Sequence, residues 1–337
     1  MGRSTRTPFD AAFGTVIITS HAEKRKAGPV QTFQHVGILA HPLRTGTAPI
    51  AQAIAQSLQA RGIDAWVRTA WDATRAQPLV KGSDMVIAIG GDGAMLRAAR
   101  VCAPANVPML GINAGHLGFL AEVSPDDWEQ SLEMVLAGDY WIEHRMMIRC
   151  EIRRGDVLFG TSDALNDVVI SRGAIAKSIR LDTHIDGGWA TTYHGDGLII
   201  ATPTGSTAYA LAVGGPILPP ELKNILVVPV APHLSMDRPM VLAQGATIRV
   251  VVDPHTATEV VLTVDGELIA SLESSDHVTI RASEHVSRFV RLRDRNYFYR
   301  SLLDRLEPRV PSRASNANSE VAPGPAEGAV PARGHQA

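Results

Sequence analysis

The chain has 337 residues, 45% hydrophobic and 20% charged, with a formal net charge of -2. At about 150 residues per domain it has room for two packed domains, and its charge balance argues against a general nucleic-acid binder, which needs surplus Lys and Arg to neutralise phosphates. Two cysteines, Cys102 and Cys150, are too few for a disulfide framework and too far apart for a paired redox or metal motif; no apolar run approaches the ~20 residues of a membrane span, so the expectation is a cytoplasmic protein without a membrane partner.

Residues 1–33 show no sustained periodicity apart from a possible short strand at Thr15–Thr19, and read as a flexible extension. Residues 34–141 alternate strand-like and helix-like segments. Val36–Leu39 reads as a strand, Ala48–Ala60 as a helix closed by Gly62, Asp84–Ile89 (DMVIAI) as a buried strand, Ala94–Val101 as a helix and Val107–Leu110 as a strand. Ser124-Pro125-Asp126-Asp127 then predicts a helix start with a hydroxyl cap and proline in the first turn. Such alternation implies an α/β domain with a parallel sheet.

Residues 142–306 change character: short strands are separated by turns such as Arg153-Arg154-Gly155-Asp156 and Asp186-Gly187-Gly188, which predicts a β-rich, sandwich-like domain. Its helical exceptions are Thr207–Ala212 and a final helix over Asn296–Leu306, which could return to the first domain. Residues 307–337 are rich in Pro, Ser, Ala and Gly, a composition that predicts a disordered tail.

Three segments carry chemistry. Gly90-Gly91-Asp92-Gly93 follows the DMVIAI strand and opens a helix. Ligands bind beyond the carboxyl ends of parallel strands, and a glycine turn lets helix N–H groups approach a phosphate. An acid there either accepts a proton from an attacking hydroxyl or holds a magnesium ion, unless it merely caps the helix. Gly111–Leu120 (GINAGHLGFL) repeats the arrangement after the next strand, with Leu117, Phe119 and Leu120 expected in the core and His116 in the loop. Asp196–Tyr209 (DGLIIATPTGSTAY) empties an apolar strand into a hydroxyl-rich loop, suited either to phosphate and ribose oxygens or to plain capping.

In this order and spacing the three segments resemble the bacterial NAD kinase family. So do Asn166-Asp167-Val168-Val169, Ala231-Pro232-His233-Leu234-Ser235 with Arg238-Pro239, and Val264-Asp265-Gly266-Glu267; the resemblance runs over roughly His35–Leu306. It implies transfer of the terminal phosphoryl group of ATP to the 2′-hydroxyl of the adenosine ribose of NAD, with a divalent ion, Mg²⁺, as cofactor and a homo-oligomeric assembly. It also implies that Asp92 is the proton acceptor and, with Gly93, touches the dinucleotide. Further contacts implied are Arg97, the Asn166–Asp167 pair, Lys177, His194, Asp196, the run Thr207, Ala208, Tyr209, Ala210, Leu211 and Ala212, and Ala231 and Glu267. Two positions depart from the family: Ala94 stands where a polar residue is common, and Glu267 where an amide side chain is usual.

The chemistry implied is direct in-line transfer, with no covalent intermediate and no P-loop. A carboxylate at Asp196 near the nicotinamide would favour the oxidised, cationic ring over the reduced one. The competing readings are a lipid or sugar kinase sharing the GGDG turn, which would not require the Asn–acid pair, and a non-catalytic NAD-binding regulator, which would not require Asp92.

Overall fold

The computed structural model describes residues 33–69, 73–115, 118–233, 235–299 and 302. The expectations for 1–32, for His116 and Leu117, and for the tail 307–337 lie outside these residues. In chain order the first half runs β1 (His35–Ala40), α1 (Thr47–Gln59), β2 (Asp64–Arg68), α2 (Ala73–Lys81), β3 (Met85–Gly90), α3 (Asp92–Cys102), β4 (Met109–Asn113) and α4 (Trp128–Leu136). The second runs β5 (Trp141–Arg154), β6 (Val157–Ala164), β7 (Asp167–Arg172), β8 (Ile179–Ile185), β9 (Gly188–Gly195), β10 (Gly197–Ala201), α5 (Tyr209–Ala212), β11 (Asn224–Val230), β12 (Met240–Ala243), β13 (Ile248–Val252), β14 (Val260–Val264), β15 (Glu267–Leu272) and β16 (His277–Arg291).

Strands β2, β1, β3 and β4 pair in parallel in that order. The unbroken apolar run of β3 follows from burial on both faces. Met85, Ile87 and Ile89 meet α1 and α4, on which Ile54, Leu58, Leu132 and Val135 supply the contacts. Val86 and Ala88 meet α2 and α3 on the opposite face, through Ala76, Val80, Met95 and Ala98. On α1 the buried residues Ala51, Ile54, Ala55 and Leu58 fall at helical spacing and form one apolar stripe.

The second half is a two-sheet packing. Strands β12, β11, β10, β7, β14 and β15 make an antiparallel sheet of six. Its inner face, with Ile170, Leu198, Ile200, Val227 and Leu262, packs against Ile148, Leu181, Val250, Val278 and Ile280 of the other sheet. Alternation on β10 sends Ile199 and Ala201 to the outer face, where Ala210 of α5 covers them. The other sheet is continuous with the parallel one. The long strand β16 pairs antiparallel with β5 and β13, and its end reaches β4 in parallel through Phe289 and Met109.

Three expectations shift. The α4 helix begins at Trp128, because Ser124–Asp127 closes as a turn, with Asp127 N–H on Ser124 O at 3.1 Å, before the helix starts. Strand β2 and helix α2, which carries Pro78 inside it, were not expected. Residues 296–299 and 302 belong to a separate C-terminal unit, helical at 297–299 and 302; the rest of the expected final helix lies outside the described residues. Among the described residues no helix is long and apolar enough to cross a membrane.

Candidate active site

The strand-to-helix turn after β3 places Asp92 in the first turn of α3, with Gly91 extended at the cap position. The carboxylate is clasped by the neighbouring loop: Phe119 N–H donates to Oδ2 at 2.9 Å and Leu120 N–H to Oδ1 at 3.1 Å. Gly118 makes this approach possible, since a Cβ there would stand 1.9 Å from Asp92 Oδ1. The second glycine segment therefore acts on the first, fixing the orientation of its acid. Ala94, one of the two departures, is buried with its methyl over Gly90. Ala94 also lines the cleft at this turn.

Beside the turn lies a cleft of about 270 Å³ lined by His41, Arg44, Asp92, Gly93, Arg97 and Arg100 on one side and Asp265, Gly266 and Glu267 on the other. Glu267, the second departure, is held in ion pairs by both Arg97 and Arg100. Two guanidinium groups on successive turns of α3 thus balance the charge that an amide would not carry.

The β14–β15 turn, Asp265-Gly266, has both residues at positive φ, the conformation a two-residue hairpin of this type needs. Its Asp265 carboxylate accepts the N–H groups of Leu165, Asn166 and Asp167 at 3.0, 2.7 and 3.2 Å. This ties the Asn–acid pair to the cleft. Burial, with the Asp265 charge second, pushes Asp167 up to about 7 from 3.8. Burial raises Asp265 as well, opposed by its three N–H donors and by Arg100. Asp265 with its donors is the better anion, so Asp167 is the member that takes up the proton.

This has a sign. Between pH 3.8 and about 7 the folded state binds a proton that the unfolded chain releases, so stability falls as pH rises through that window. Asp167→Asn removes the cost. Its stability gain over the wild type is expected to grow from pH 4 to pH 7, to at most about 4 kcal/mol, and to level off above. Urea unfolding at pH 4.5 and pH 8 measures it; an equal difference at both pH values would contradict the assignment.

The hydroxyl-rich loop joins this assembly through Thr202 N–H, which donates to Asn166 O at 2.9 Å. Most of its hydroxyls turn inward. Thr202 Oγ1 donates to Leu165 O and accepts Gly205 N–H, and Ser206 Oγ donates to Pro203 O and accepts Leu218 N–H. Thr202, Thr204 and Ser206 are buried and brace the loop from within, while neither the 3₁₀ turn nor α5 carries a side-chain cap at its start. A 3₁₀ turn at Gly205–Thr207 and the short α5 then present Thr207, Ala208, Tyr209, Leu211 and Ala212 at the surface, while Ala210 is buried in the core.

Beneath both loops runs a buried ion network. Arg291 Nε and Arg145 Nε both donate to Glu143 Oε2, at 2.8 and 2.9 Å. Arg291 Nη1 donates to Leu120 O at 2.8 Å, and Arg145 Nη1 reaches Thr204 Oγ1 at 3.5 Å. The two guanidinium groups lie 4.9 and 5.2 Å from the centre of the Phe289 ring. Burial alone would raise the Glu143 carboxyl; the two arginines overcome it and hold it down at about 2.

The remaining expected contacts lie elsewhere. Lys177 and His194 line a separate cleft of about 560 Å³ with Arg180, His255 and Thr256, which shares no lining residue with the first. His194 Nε2 is 2.8 Å from Ser178 Oγ. Asp196 pairs with Arg172 at 2.9 Å at a partly exposed position. Ala231 has φ 44°, a strained value for an alanine, whereas the other non-glycine residues of positive φ among those described are Asn, Asp or Ser. Sequence reasoning passed over His41, Arg44, Arg100 and the role of Asp265; His41 and Arg44 directly follow a buried strand, the position where the strand-end rule looks for ligands.

Residues 72–140 match the ATP-NAD kinase N-terminal domain and residues 165–292 the ATP-NAD kinase C-terminal domain. The NAD kinase of Chloroflexus aurantiacus is 40% identical over 274 residues, which cover 81% of this chain and 98% of that protein. The chain belongs to the NAD kinase family. The NAD kinase of Dehalococcoides mccartyi is 36% identical over 276 residues, 82% of this chain and 96% of that one. In fold the chain is similar to yeast NADH kinase complexed with NADH, with a TM-score of 0.73, 23% identity and coverage of 87% and 91%. An NAD kinase from Archaeoglobus fulgidus in complex with ATP gives a TM-score of 0.64, 24% identity and coverage of 80% and 98%.

Proposed function

We infer that this chain transfers the terminal phosphoryl group of ATP to the 2′-hydroxyl of the adenosine ribose of NAD, forming NADP and ADP. The observation that carries the reading is the clasped carboxylate of Asp92 at the carboxyl end of β3, inside a cleft with arginines. Asp92 takes the proton of the 2′-hydroxyl; the oxygen attacks the terminal phosphorus in line as the bond to the bridging oxygen of ADP breaks. Both cysteine thiols are buried, and burial pushes them up, which leaves them inert as nucleophiles. Incubation with NAD, ATP and Mg²⁺ should yield NADP; NAD binding without NADP would favour the regulator, and phosphorylation of a lipid or sugar instead would favour the other kinase reading.

Among the described residues no group of three His, Cys, Asp or Glu side chains could hold a metal ion alone. A Mg²⁺ arriving with the triphosphate would fit that donor set, with Asp92 as the one carboxylate at the turn to hold it, and would supply charge neutralisation on the phosphates. We further propose a cytoplasmic homo-oligomer, in which the cleft holding Lys177 and His194 completes the dinucleotide site of a neighbouring copy. Two observations support this: that cleft shares no residue with the one at Asp92, and the exposed end of α5 and Ala231 contribute no lining residue to either. Mixing the inactive variants Asp92→Asn and His194→Asp under subunit exchange should restore part of the activity; no recovery from exchanged oligomers would mean that each chain builds its own site.

A further inference from the structure

The cleft at Asp92 has two electrostatically different walls. On the β14–β15 side stand Asp265 and Glu267, and Glu267 engages both Arg97 and Arg100. On the β1–α1 side stand His41 and Arg44. Arg44 spends its hydrogen bond on a carbonyl, Nη1 to Ala114 O at 2.9 Å, and not on a carboxylate. Its guanidinium lies over the glycine turns: a Cβ on Gly115 would stand 2.0 Å from Nη1, and one on Gly91 3.2 Å from Nη2. The glycines of both segments thus make room for an arginine as well as for a ligand.

The loop that carries these residues is built, not loose. His41 N–H continues the β1–β3 pairing onto Ile89 O at 3.0 Å, and the buried Thr47 hydroxyl reaches the carbonyls of His41 and Arg44 at 2.8 and 2.9 Å. His41 Nδ1 accepts the N–H groups of Leu43 and Arg44 at 3.1 and 3.2 Å. An imidazole nitrogen that accepts is unprotonated, so the ring's proton sits on Nε2 and that atom is a donor. Burial, with Arg44 and Arg97, holds the ring in this neutral form. Of the two substrates the nucleoside triphosphate carries the higher negative charge, and the β1–α1 loop, which brings Arg44 and no carboxylate to the cleft, suits it.

Taking the chain as an ATP-dependent kinase, we propose that the β1–α1 loop is its donor-phosphate grip: Arg44 and His41 Nε2–H bind the triphosphate chain, opposite the acidic hairpin that faces the acceptor sugar. Held there, the terminal phosphorus can stand between the attacking ribose oxygen and the leaving oxygen of ADP, the alignment in-line transfer requires.

The test is direct titration of the full chain with ATP, with inorganic tripolyphosphate and with NAD, by calorimetry, in the wild type, Arg44→Ala, Arg44→Lys and His41→Asn. Arg44→Ala should weaken ATP and tripolyphosphate about 10- to 100-fold, Arg44→Lys should recover much of that, and NAD affinity should stay within about twofold. His41→Asn keeps an acceptor for the Leu43 and Arg44 N–H groups but loses the Nε2 donor, so a loss of about 3- to 10-fold in ATP affinity at unchanged melting temperature separates binding from loop building. ATP affinity within twofold of wild type in Arg44→Ala, or ATP and NAD affinities falling together, overturns the grip. Because binding is read without turnover, a wild type that forms no NADP while Arg44→Ala still loses ATP would fail the kinase reading and leave the grip standing; NADP formation with unaltered ATP binding would do the reverse.

Discussion

Asp92→Asn is expected to lower kcat about 10²- to 10⁴-fold while NAD affinity changes little, the usual worth of a positioned general base. The clasp adds a second effect. Both carboxylate oxygens accept a backbone N–H, and an asparagine has one acceptor oxygen, so either Phe119 or Leu120 loses its partner. That costs about 1–3 kcal/mol of stability, visible as a lower melting temperature. Gly118→Ala is the companion: its methyl must displace the carboxylate, so it too should cut kcat and spare NAD binding, although the acid is still present. Turnover within a few-fold of wild type in both would assign Asp92 to structure, as the acceptor for the Phe119 and Leu120 N–H groups.

The second large effect is expected at Glu143, which touches no ligand. Glu143→Gln leaves Arg145 buried against Phe289 without its carboxylate and Arg291 with only the Glu122 carboxylate, 3.7 Å away, and breaking a buried pair of this kind costs about 3–5 kcal/mol. For a chain of this size the melting temperature should fall on the order of 5–10 °C. Since the folded carboxyl sits at about 2 against 4.5 unperturbed, its contribution is complete above about pH 4.5 and lost as pH falls toward 2. The gap between variant and wild type should therefore be constant from pH 5 to pH 9 and narrow in acid, the opposite slope to that of Asp167→Asn. Arg291 also fixes Leu120, whose N–H holds Asp92, so kcat should drop more than KM rises. A variant as stable as wild type, or one with KM effects alone, would show that the network neither stabilises nor positions.

The sequence was most readable where structure is local. The β3 strand, the GGDG turn and α3 were legible because a continuous apolar run, glycines and a helical stripe sit next to one another in the chain. The hairpins at Gly155 and Asp186-Gly187 were legible from turn chemistry, as their positive φ values show. Helix α2 was hidden by an internal Pro78 and β2 by its short, half-buried pattern. The start of α4 was misplaced because Ser-Pro-Asp-Asp suits a turn as well as a first helical turn. The clasp on Asp92 and the network under it join residues far apart in the sequence: Phe119 to Asp92, and Arg291 to Glu143. No periodicity records such a pairing. Glu267 looked like a lost amide contact until the two arginines opposite it were in view.

Strand β16 also sets an order of events in synthesis. Among the described residues the parallel sheet meets the rest of its own sheet only through β16, at Phe289 beside Met109, and Arg291 at the end of that strand holds the peptide that positions Asp92. At roughly 5–20 residues per second, β4 leaves the ribosome about 10–40 s before its partner does. During that interval the nascent chain carries an open β4 edge, the sort of surface that recruits chaperones or other strands, and its phosphoryl-transfer centre is unfinished. Pairing over so long a separation is slow to form, but it means that a truncated chain has no aligned acid with which to waste ATP.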